Sequence, residues 1–334
     1  MSGMPKVSVV MPVHNRGAMV GAAIESLLRQ TLAAIEVVVV DDGSTDDTVA
    51  RLRAIPDPRM VIVEQGRNTG IPAARNAGLA AARGDYVAIL DSDDLALPER
   101  LARQAAFLDA NPGIALVATL SEEIRADGRA TGKVKRRPLD ADAIRAHALF
   151  RCPVLQSTVM ARRAVLADYP YDPAFPVCSD YEMFARLTWA HAAATLPEVL
   201  VKRRVHEGSI SRARFALTSE RNTAVIRARL DAIGMAYTDR DVDNQYAIGH
   251  LNKAGVAAEA ALLPWARQWF PALREKALEA GIAAAAIDEM LGALWVKACA
   301  RSGKWAAIAA PELRGAVLAV VRAEARWRLR QTRK

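Results

Sequence analysis

The stretch that decides the fold of this chain is Tyr86-Val87-Ala88-Ile89-Leu90-Asp91-Ser92-Asp93-Asp94, an apolar run that ends in carboxylates. The apolar run predicts a strand, and Pro98 with the pattern after it predicts a helix. In open α/β sheets, ligands bind beyond the carboxyl ends of the strands. Since carboxylate oxygens suit Mg²⁺ or Mn²⁺, the cluster predicts a metal-bound phosphorylated or nucleotide substrate. An acidic turn that caps the next helix would explain the same residues.

Similar apolar runs alternate with helical patterns through the first part of the chain. This alternation predicts an α/β fold with a doubly wound, mostly parallel, Rossmann-like sheet. The four valines at 37–40 lack polar alternation, which is typical of a central strand covered on both faces. The predicted strands are 7–11, 36–40, 60–64 and 86–90, and the predicted helices are 18–30, 48–54 and 73–82.

The pattern divides the chain into three segments. Residues 1–113 carry the alternating pattern, and residues 114–211 are mixed, with predicted strands at 115–120 and 157–161 and a helix at 181–190. Residues 212–334 are Ala-rich and helical, which predicts a helical C-terminal extension with interruptions near Pro264, Pro271 and Pro311.

Composition excludes several classes of protein. The three cysteines are far apart in sequence and form no CxxC pair, which argues against a zinc site or a disulfide framework and favours a reducing cytosol. We expect no membrane span and no signal peptide, because the apolar runs are too short. Residues 314–334 hold six Arg and one Lys against Glu324, so this tail carries +6 of the net charge of +8. The rest of the chain has a net charge of only +2, which argues against nucleic-acid binding by the body of the chain.

The other predicted strands also end in polar residues. The first leads into Pro12-Val13-His14-Asn15 and the second into Asp41-Asp42-Gly43-Ser44. A carboxylate at such a turn can accept a hydrogen bond from a base or a ribose hydroxyl, although an ordinary strand-turn-helix junction would look the same. Between them, a glycine-containing loop opens a helix whose N-terminal amides and Arg75 could face phosphate or base.

Together these motifs resemble the family 2 glycosyltransferases of the GT-A fold, over roughly the first 110 residues. Four motifs agree with the family in order, spacing and context, namely residues 7–15, 40–46, 68–76 and 90–94. The resemblance implies a GT-A domain over residues 1–211. Its nucleotide-sugar-binding half would be 1–113 and its acceptor half 114–211.

The resemblance assigns donor and metal roles residue by residue. Asp42 corresponds to the carboxylate that contacts the base, and Asp91 to the position that faces ribose. Asp93 corresponds to the ligand of a divalent ion, Mn²⁺ or Mg²⁺, which is the implied cofactor, while Asp94 is left as a structural carboxylate beside the helix. The remaining nucleotide-binding positions are Pro12, Asn15, Arg75 and Ser92.

An inverting sugar transfer needs a base that takes the proton from the acceptor hydroxyl. Asp180 lies in a segment similar to the family's Glu-Asp-Tyr motif, with Ser179 where an acidic residue is common. We therefore assign Asp180 as the catalytic base and Glu182 as the alternative base. A helix N-cap would also explain Asp180.

Further residues carry roles implied by the same resemblance. The segment from Lys202 to Ser211 is similar to the family's Arg-x-His loop, so Arg204 is expected to bind the diphosphate or act as a lid, and His206 to bind the metal. A solvated basic loop is the alternative. Gln156 and Ser157 correspond to acceptor-side positions.

The C-terminal helix has an amphipathic pattern. Arg322, Arg326 and Arg330 fall on one stripe, and the apolar residues Val317, Val320, Val321 and Trp327 fall mostly on another. Such a helix can lie on anionic lipid, which would place a cytoplasmic protein at the inner face of the membrane. A solvated arginine face followed by a disordered tail would explain the same residues.

The predicted function is that of an inverting, metal-dependent glycosyltransferase. It would move a sugar from a nucleoside-diphosphate sugar, with UDP favoured, to a hydroxyl of a glycan or lipid-linked acceptor in cell-surface polysaccharide synthesis. A nucleotidyltransferase is one alternative, but it would favour a Gly-x-Gly-x-Arg loop after the first strand, where this chain has 12–15 instead. The other alternative is a non-catalytic protein that binds nucleotide sugars.

Overall fold

The computed structural model describes residues 4–205, 215–251 and 262–331, with the side chains of the last helix described as far as Arg326. The chain forms two compact units. The first takes the chain up to Ala141 and again from Pro153 to Thr218, and the second takes Asp142–Cys152 and the chain from Ser219 onward. The first unit extends to Thr218, whereas the boundary at 211 is a prediction from the sequence, and a short segment from the middle of the chain joins the helical unit.

A mixed sheet forms the core of the first unit. Its strands are β1 (Val7–Val13), β2 (Ile35–Asp41), β3 (Met60–Glu64), β4 (Tyr86–Ile89), β5 (Leu95–Ala96), β6 (Leu116–Arg125), β7 (Ala130–Lys135), β8 (Met160–Arg162) and β9 (Ala193–Val205). They run in the order β3-β2-β1-β4-β8-β6-β9-β5, and β7 pairs with β6. The first four strands of the α/β pattern pair in parallel, as predicted, whereas β8 runs antiparallel to both β4 and β6.

Helices connect these strands and form most of the second unit. They are α1 (Gly17–Leu28), α2 (Thr48–Arg53), α3 (Ile71–Ala81), α4 (Arg100–Ala110), α5 (Ala141–Ala148), α6 (Arg163–Leu166), α7 (Ser179–Ala190), α8 (Phe215–Ala232), α9 (Asp239–Gly249), α10 (Leu262–Glu279), α11 (Ala284–Ser302) and α12 (Arg314–Gln331). None of the helices within the described ranges is long and apolar enough to cross a membrane.

The register of the central strand brings the strand ends together. β1 pairs with β2 on one side, with Val13 opposite Asp41, and with β4 on the other, with Val10 opposite Ile89. Every residue of β2 is buried, which confirms the prediction of a central strand covered on both faces. The polar turns that follow these three strands therefore lie along one edge of the sheet.

The helical unit has its own core. In this core, Phe150 packs edge to face against Phe270, and the Gln245 amide donates to the carbonyl of Leu149 at 2.8 Å. These contacts explain why residues 142–152 belong to this unit. The interruption predicted at Pro271 is wrong, since Pro271 lies inside α10. Buried apolar side chains on both sides of Pro271 favour a continuous helix, although an interior proline costs about 3 kcal/mol.

We predict opposite effects for two glycine-to-alanine substitutions in helices of the first unit. A Cβ atom on Gly78 would lie 2.4 Å from the Val10 side chain, whereas one on Gly21 would meet nothing within 4 Å. Gly78→Ala should lower the free energy of unfolding by about 1–3 kcal/mol through overpacking. Gly21→Ala should raise it by about 0.5–1 kcal/mol through helix propensity. Urea unfolding followed by circular dichroism measures both, and shifts of the same sign would contradict the packing of α3 on the sheet.

Candidate active site

Asp42, in the turn after β2, is a buried carboxylate that organises the loop before α3. It accepts hydrogen bonds from the Thr69 amide at 2.6 Å, the Thr69 hydroxyl at 2.8 Å and the Gly70 amide at 2.9 Å. The neighbouring Gly43 has a φ of +69°, and a Cβ atom there would lie 2.4 Å from the Arg67 carbonyl carbon. Only glycine therefore allows the two turns to approach this closely.

The turn after β1 is tied to the same place. Asn15 has a φ of +50°, and its side-chain oxygen accepts from the Thr45 amide at 2.8 Å. Its own amide donates to the Ser44 hydroxyl at 2.9 Å. Pro12, in β1, is half-buried. The structure therefore brings Pro12 and Asn15 to the edge of the sheet where Asp42 lies, with Asn15 holding the second turn in shape.

The acidic cluster follows β4 directly. Asp94 is buried and accepts from the Arg204 amide at 2.8 Å. Burial, together with the charges of Asp93 and Asp91, raises the pKa of Asp94 to about 8. Asp94 is thus an inward-facing structural carboxylate, whereas the side chain of Asp91 keeps 37% of its surface exposed. Ser92 is buried between them.

Arg75, on α3, connects this cluster to a second acidic element. Its guanidinium donates to Asp91 at 3.2 Å and to the Ser179 hydroxyl at 3.0 Å, and it lies over the ring of Tyr171, 5.2 Å from the centroid. Burial alone would lower the pKa of Arg75, but the charges of Asp91 and Asp180 raise it. Arg75 is therefore held as a cation among carboxylates while it is only 8% exposed.

The pKa of Asp91 is shifted by burial and by the charged side chains around it. Burial raises the pKa of Asp91. The charge of Arg75 opposes this rise, and the carboxylates of Asp93 and Asp180 add to it. Three carboxylates, Asp91, Asp93 and Asp180, therefore interact at this edge of the sheet, with Arg75 as the cation that opposes their repulsion.

Asp180 lies in the first turn of α7 and is half-buried. The residue before the helix, Cys178, has a left-handed φ of +60°, which turns the chain into the helix next to Arg75. Glu182, the alternative base, forms an ion pair with Arg186 at 2.5 Å. Of the two predicted bases, Asp180 is the one that interacts with the Arg75 and Asp91 charges.

Arg204, at the end of β9, has contacts different from those expected of a phosphate ligand. Its Nε donates to the carbonyl of Asp93 at 2.9 Å, and its Nη1 donates to the carbonyl of Ala126 at 2.7 Å. The guanidinium therefore fixes the backbone of the acidic turn. His206 lies outside the described residues.

The predicted acceptor-side pair lies beneath the cluster. Residues Gln156–Thr158 form a 3-10 turn, so the strand predicted at 157–161 is wrong over its first residues and begins at Met160. Ser157 is fully buried, and its hydroxyl accepts from the Asp91 amide at 3.2 Å and bonds to Asp94. Gln156 donates to the Tyr171 hydroxyl at 2.7 Å. In the structure, both side chains contact residues that support the carboxylates.

Arg100 is a site-supporting residue that sequence reasoning missed. It is fully buried and donates to the carbonyls of Ile89 at 2.9 Å and Val159 at 3.1 Å, beneath the acidic turn. Burial lowers the pKa of Arg100 to about 9, and the Asp94 charge opposes that change. The signal in the sequence is that Arg100 and Gln104, four residues apart, share the apolar face of α4 with leucines.

The carboxylates fit a divalent ion that is shared with a substrate. Within the described ranges, no three His, Cys, Asp or Glu side chains form a complete metal site. Mg²⁺ in nucleotide enzymes is usually held by one or two carboxylates plus substrate phosphates, so a complete protein site is not required. The charge of Asp93 raises the pKa of both Asp91 and Asp94, so the three carboxylates interact with one another.

We predict that Arg100→Met lowers the free energy of unfolding by about 3 kcal/mol or more, because two backbone carbonyls and Asp94 lose a buried partner. Arg103→Met is the matched control on the same helix. Arg103 is 57% exposed, with ion pairs no closer than 3.7 Å, so its loss should cost less than about 1 kcal/mol. Urea unfolding compares the two, and equal losses would show that Arg100 does not support the turn.

Comparison with known proteins finds similarity to glycosyltransferases. Residues 8–158 match the family described as Glycosyl transferase family 2. The chain is 35% identical over 225 residues to the succinoglycan biosynthesis protein ExoO of Rhizobium meliloti, covering 63% of each protein. It is 29% identical over 197 residues to the amylovoran biosynthesis glycosyltransferase AmsE of Erwinia amylovora, covering 57% of this chain and 72% of AmsE. The match to ExoO thus spans less than two thirds of that relative.

Solved structures share the fold. The S. aureus TarS 1-349 complex with UDP-GlcNAc aligns with a TM-score of 0.60 at 19% identity, covering 91% of this chain and 89% of TarS. The mannosyltransferase PcManGT of Pyrobaculum calidifontis, in complex with GDP-Man and Mn²⁺, aligns with a TM-score of 0.51 at 20% identity, covering 99% of this chain and 84% of that one. These likenesses establish the GT-A fold predicted from the sequence.

Proposed function

We propose that this chain, in which residues 8–158 match Glycosyl transferase family 2, transfers a sugar, with inversion, from a nucleoside-diphosphate sugar to a saccharide hydroxyl in cell-surface polysaccharide synthesis. The observation that carries the proposal is the position of Arg75, whose guanidinium contacts Asp91 on the donor side and Ser179, next to Asp180, on the other side. UDP is the favoured nucleotide, in keeping with the UDP-GlcNAc named for the TarS complex.

The donor nucleotide lies along the edge of the sheet in this proposal. Its base is recognised at the turn that contains Asp42, beside Pro12 and Asn15, and its ribose at Asp91 and Ser92. The three hydrogen bonds to Asp42 keep this turn in one conformation, which reduces the entropy lost on binding.

The diphosphate is placed next to Asp93. Asp93 would hold a divalent ion, which would supply positive charge to offset the charge that develops on the departing diphosphate. Arg204 keeps the Asp93 backbone in place through its hydrogen bond to the carbonyl. We assign Arg204 this positioning role in addition to the phosphate contact expected from the sequence. His206 remains the second candidate ligand of the divalent ion.

The transfer step uses Asp180 as the base. The acceptor hydroxyl gives its proton to the Asp180 carboxylate while its oxygen forms a bond to the anomeric carbon, and the bond from that carbon to the diphosphate oxygen breaks on the opposite face. The charge of Asp180 helps to raise the pKa of Arg75, so the two side chains interact electrostatically. Gln156 and Ser157 remain acceptor-side candidates, in addition to their contacts beneath the cluster.

We predict a separation of donor and acceptor functions in two variants. Asp93→Ala should abolish both transfer and acceptor-independent hydrolysis of the donor, because the diphosphate loses its charge partner. Asp180→Asn should slow transfer by about 10²–10⁴-fold and keep donor hydrolysis, because only the base is lost. Release of nucleoside diphosphate, with and without acceptor, measures the two activities.

The matched control for this experiment is Glu182→Gln, on the same helix. It should retain transfer within a few-fold, since Glu182 is paired with Arg186. Wild-type rates in both Asp variants would exclude the assignment. Loss of transfer in Glu182→Gln, with a normal transfer rate in Asp180→Asn, would indicate that Glu182 is the base. Donor binding without turnover in the wild type would favour the non-catalytic alternative.

The last helix supports a peripheral membrane location as part of the proposed function. On α12, Leu318 and Val321 are 47% and 62% exposed and lie next to the exposed Arg322, whereas Val317 and Val320 are half-buried. Val320 packs on α11, where a Cβ atom on Gly292 would lie 2.8 Å from it. The apolar stripe expected from the sequence is therefore split, and its exposed part is flanked by arginine. We propose that this face lies on an anionic membrane.

We predict that Val321→Asp reduces binding to vesicles containing phosphatidylserine by about ten-fold or more, since it removes apolar contact and adds repulsion of about 1 kcal/mol per charge. Met4→Asp, at a position 72% exposed in the other unit, is the matched control and should bind as the wild type does. Vesicle co-sedimentation measures both. Equal binding by the two variants, or equal binding to neutral vesicles, would contradict membrane contact through α12.

A further inference from the structure

A second concentration of positive charge lies in the first unit. Residues 125–137, which include the turn of the β6–β7 hairpin, contain six Arg and Lys against the single Asp127, a net of +5. The tail at 314–334 carries +6, so the rest of the chain has a net charge of 8 − 6 − 5 = −3. The positive charge is therefore divided between the tail and this segment. We refer to residues 125–137 as the basic hairpin.

Three cations of the basic hairpin are available to a partner, whereas Lys135 is paired with Glu123 at 3.1 Å. Arg125, Arg129 and Lys133 are exposed. Arg129 has only a distant ion pair with Asp127 at 3.7 Å, and the side chains of Arg125 and Lys133 form no ion pair within the part of the chain that the structure describes. Charges this close repel each other, and few carboxylates offset them.

The basic hairpin adjoins the candidate active site. Arg204 donates to the carbonyls of Ala126 and Arg125 in the hairpin turn, at 2.7 and 3.2 Å, and to the carbonyl of Asp93 at 2.9 Å. One side chain therefore joins the hairpin turn to the acidic turn. The positive charge of the hairpin therefore lies next to the acidic turn.

Protection of a sheet edge explains only part of this charge. Within the described ranges β7 pairs with β6 alone, and lysines on an edge strand discourage pairing with other chains. That explanation suits Lys133 and Lys135, which lie in β7. It leaves Arg125 and Arg129 unexplained, since both lie beside the turn and Arg125 belongs to a strand that is paired on both sides.

We propose that the basic hairpin is the docking surface for an anionic acceptor, a saccharide chain that carries carboxylate or phosphate groups. The proposal rests on the proposed function and names the chemical class of its acceptor. Cations spread over a hairpin complement a chain with repeated negative groups better than they complement one compact anion. Such a surface also raises the rate of encounter with a charged partner.

The test compares two labelled probes, hexagalacturonate and neutral maltohexaose, by fluorescence anisotropy with full-length protein, UDP and Mn²⁺. The variant combines Arg125→Gln, Arg129→Gln and Lys133→Gln. Its matched control combines Arg301→Gln, Lys304→Gln and Arg314→Gln, three exposed cations of the helical unit, so both lose the same charge. We expect the wild type and the control to prefer the anionic probe. The hairpin variant should bind it about ten-fold or more weakly, as expected for three exposed charges.

Each alternative result overturns the proposal in a recognisable way. Equal weakening in both triple variants would indicate a non-specific charge effect, and equal affinity for both probes would exclude an anionic acceptor. Loss of thermal stabilisation by UDP and Mn²⁺ in the hairpin variant would assign the hairpin to the donor. Loss of binding to phosphatidylserine vesicles with unchanged probe affinity would assign it to the membrane. Donor hydrolysis by the wild type tests the proposed function separately, so the two failures are distinguishable.

Discussion

The arrangement of the active site depends on one buried guanidinium. Arg75 is 8% exposed, contacts Asp91 and Ser179, and interacts with the charge of Asp180. Without this cation, carboxylates from two distant segments would repel each other at the edge of the sheet. The buried charge of Arg75 is in turn favoured only where such carboxylates are present. The donor side and the base side of the proposed reaction are therefore held together by one interaction.

The surrounding residues restrict that interaction to one geometry. Tyr171 lies under the Arg75 guanidinium, and its hydroxyl accepts a hydrogen bond from Gln156. The backbone amide and carbonyl of Tyr171 both bond to the side chain of Asn76. On the other side, Ser157 and Arg100 fix the turn that contains the carboxylates. These buried groups leave the acidic turn little freedom. Such preorganisation suits a site that must bring a sugar, a diphosphate and a hydroxyl into line.

Most of the fold could be predicted from the sequence, and candidate site residues could be proposed from it, because those signals are local. The apolar strand 86–90 and the acidic turn after it are adjacent, and the valines at 37–40 identify a central strand by themselves. The contacts that organise the site are not local. Arg75 and Ser179 are 104 residues apart, and Arg204 reaches a carbonyl 111 residues away. No periodicity or motif encodes such pairs, which is why the supporting role of Arg100 and the placement of residues 142–152 emerged only from the structure.

The central claim is that the edge of the sheet binds a nucleoside diphosphate together with a divalent ion. The most direct test is a thermal-shift measurement of the full-length protein with UDP, GDP, CDP and TDP, each with and without Mn²⁺. A ligand that binds only the folded state stabilises it by about 2.7 kcal/mol at one hundred times its Kd. The account predicts a rise in Tm with at least one of these nucleotides, UDP above all, that is much larger when Mn²⁺ is present. An unchanged Tm with all four nucleotides, with or without Mn²⁺, would contradict it.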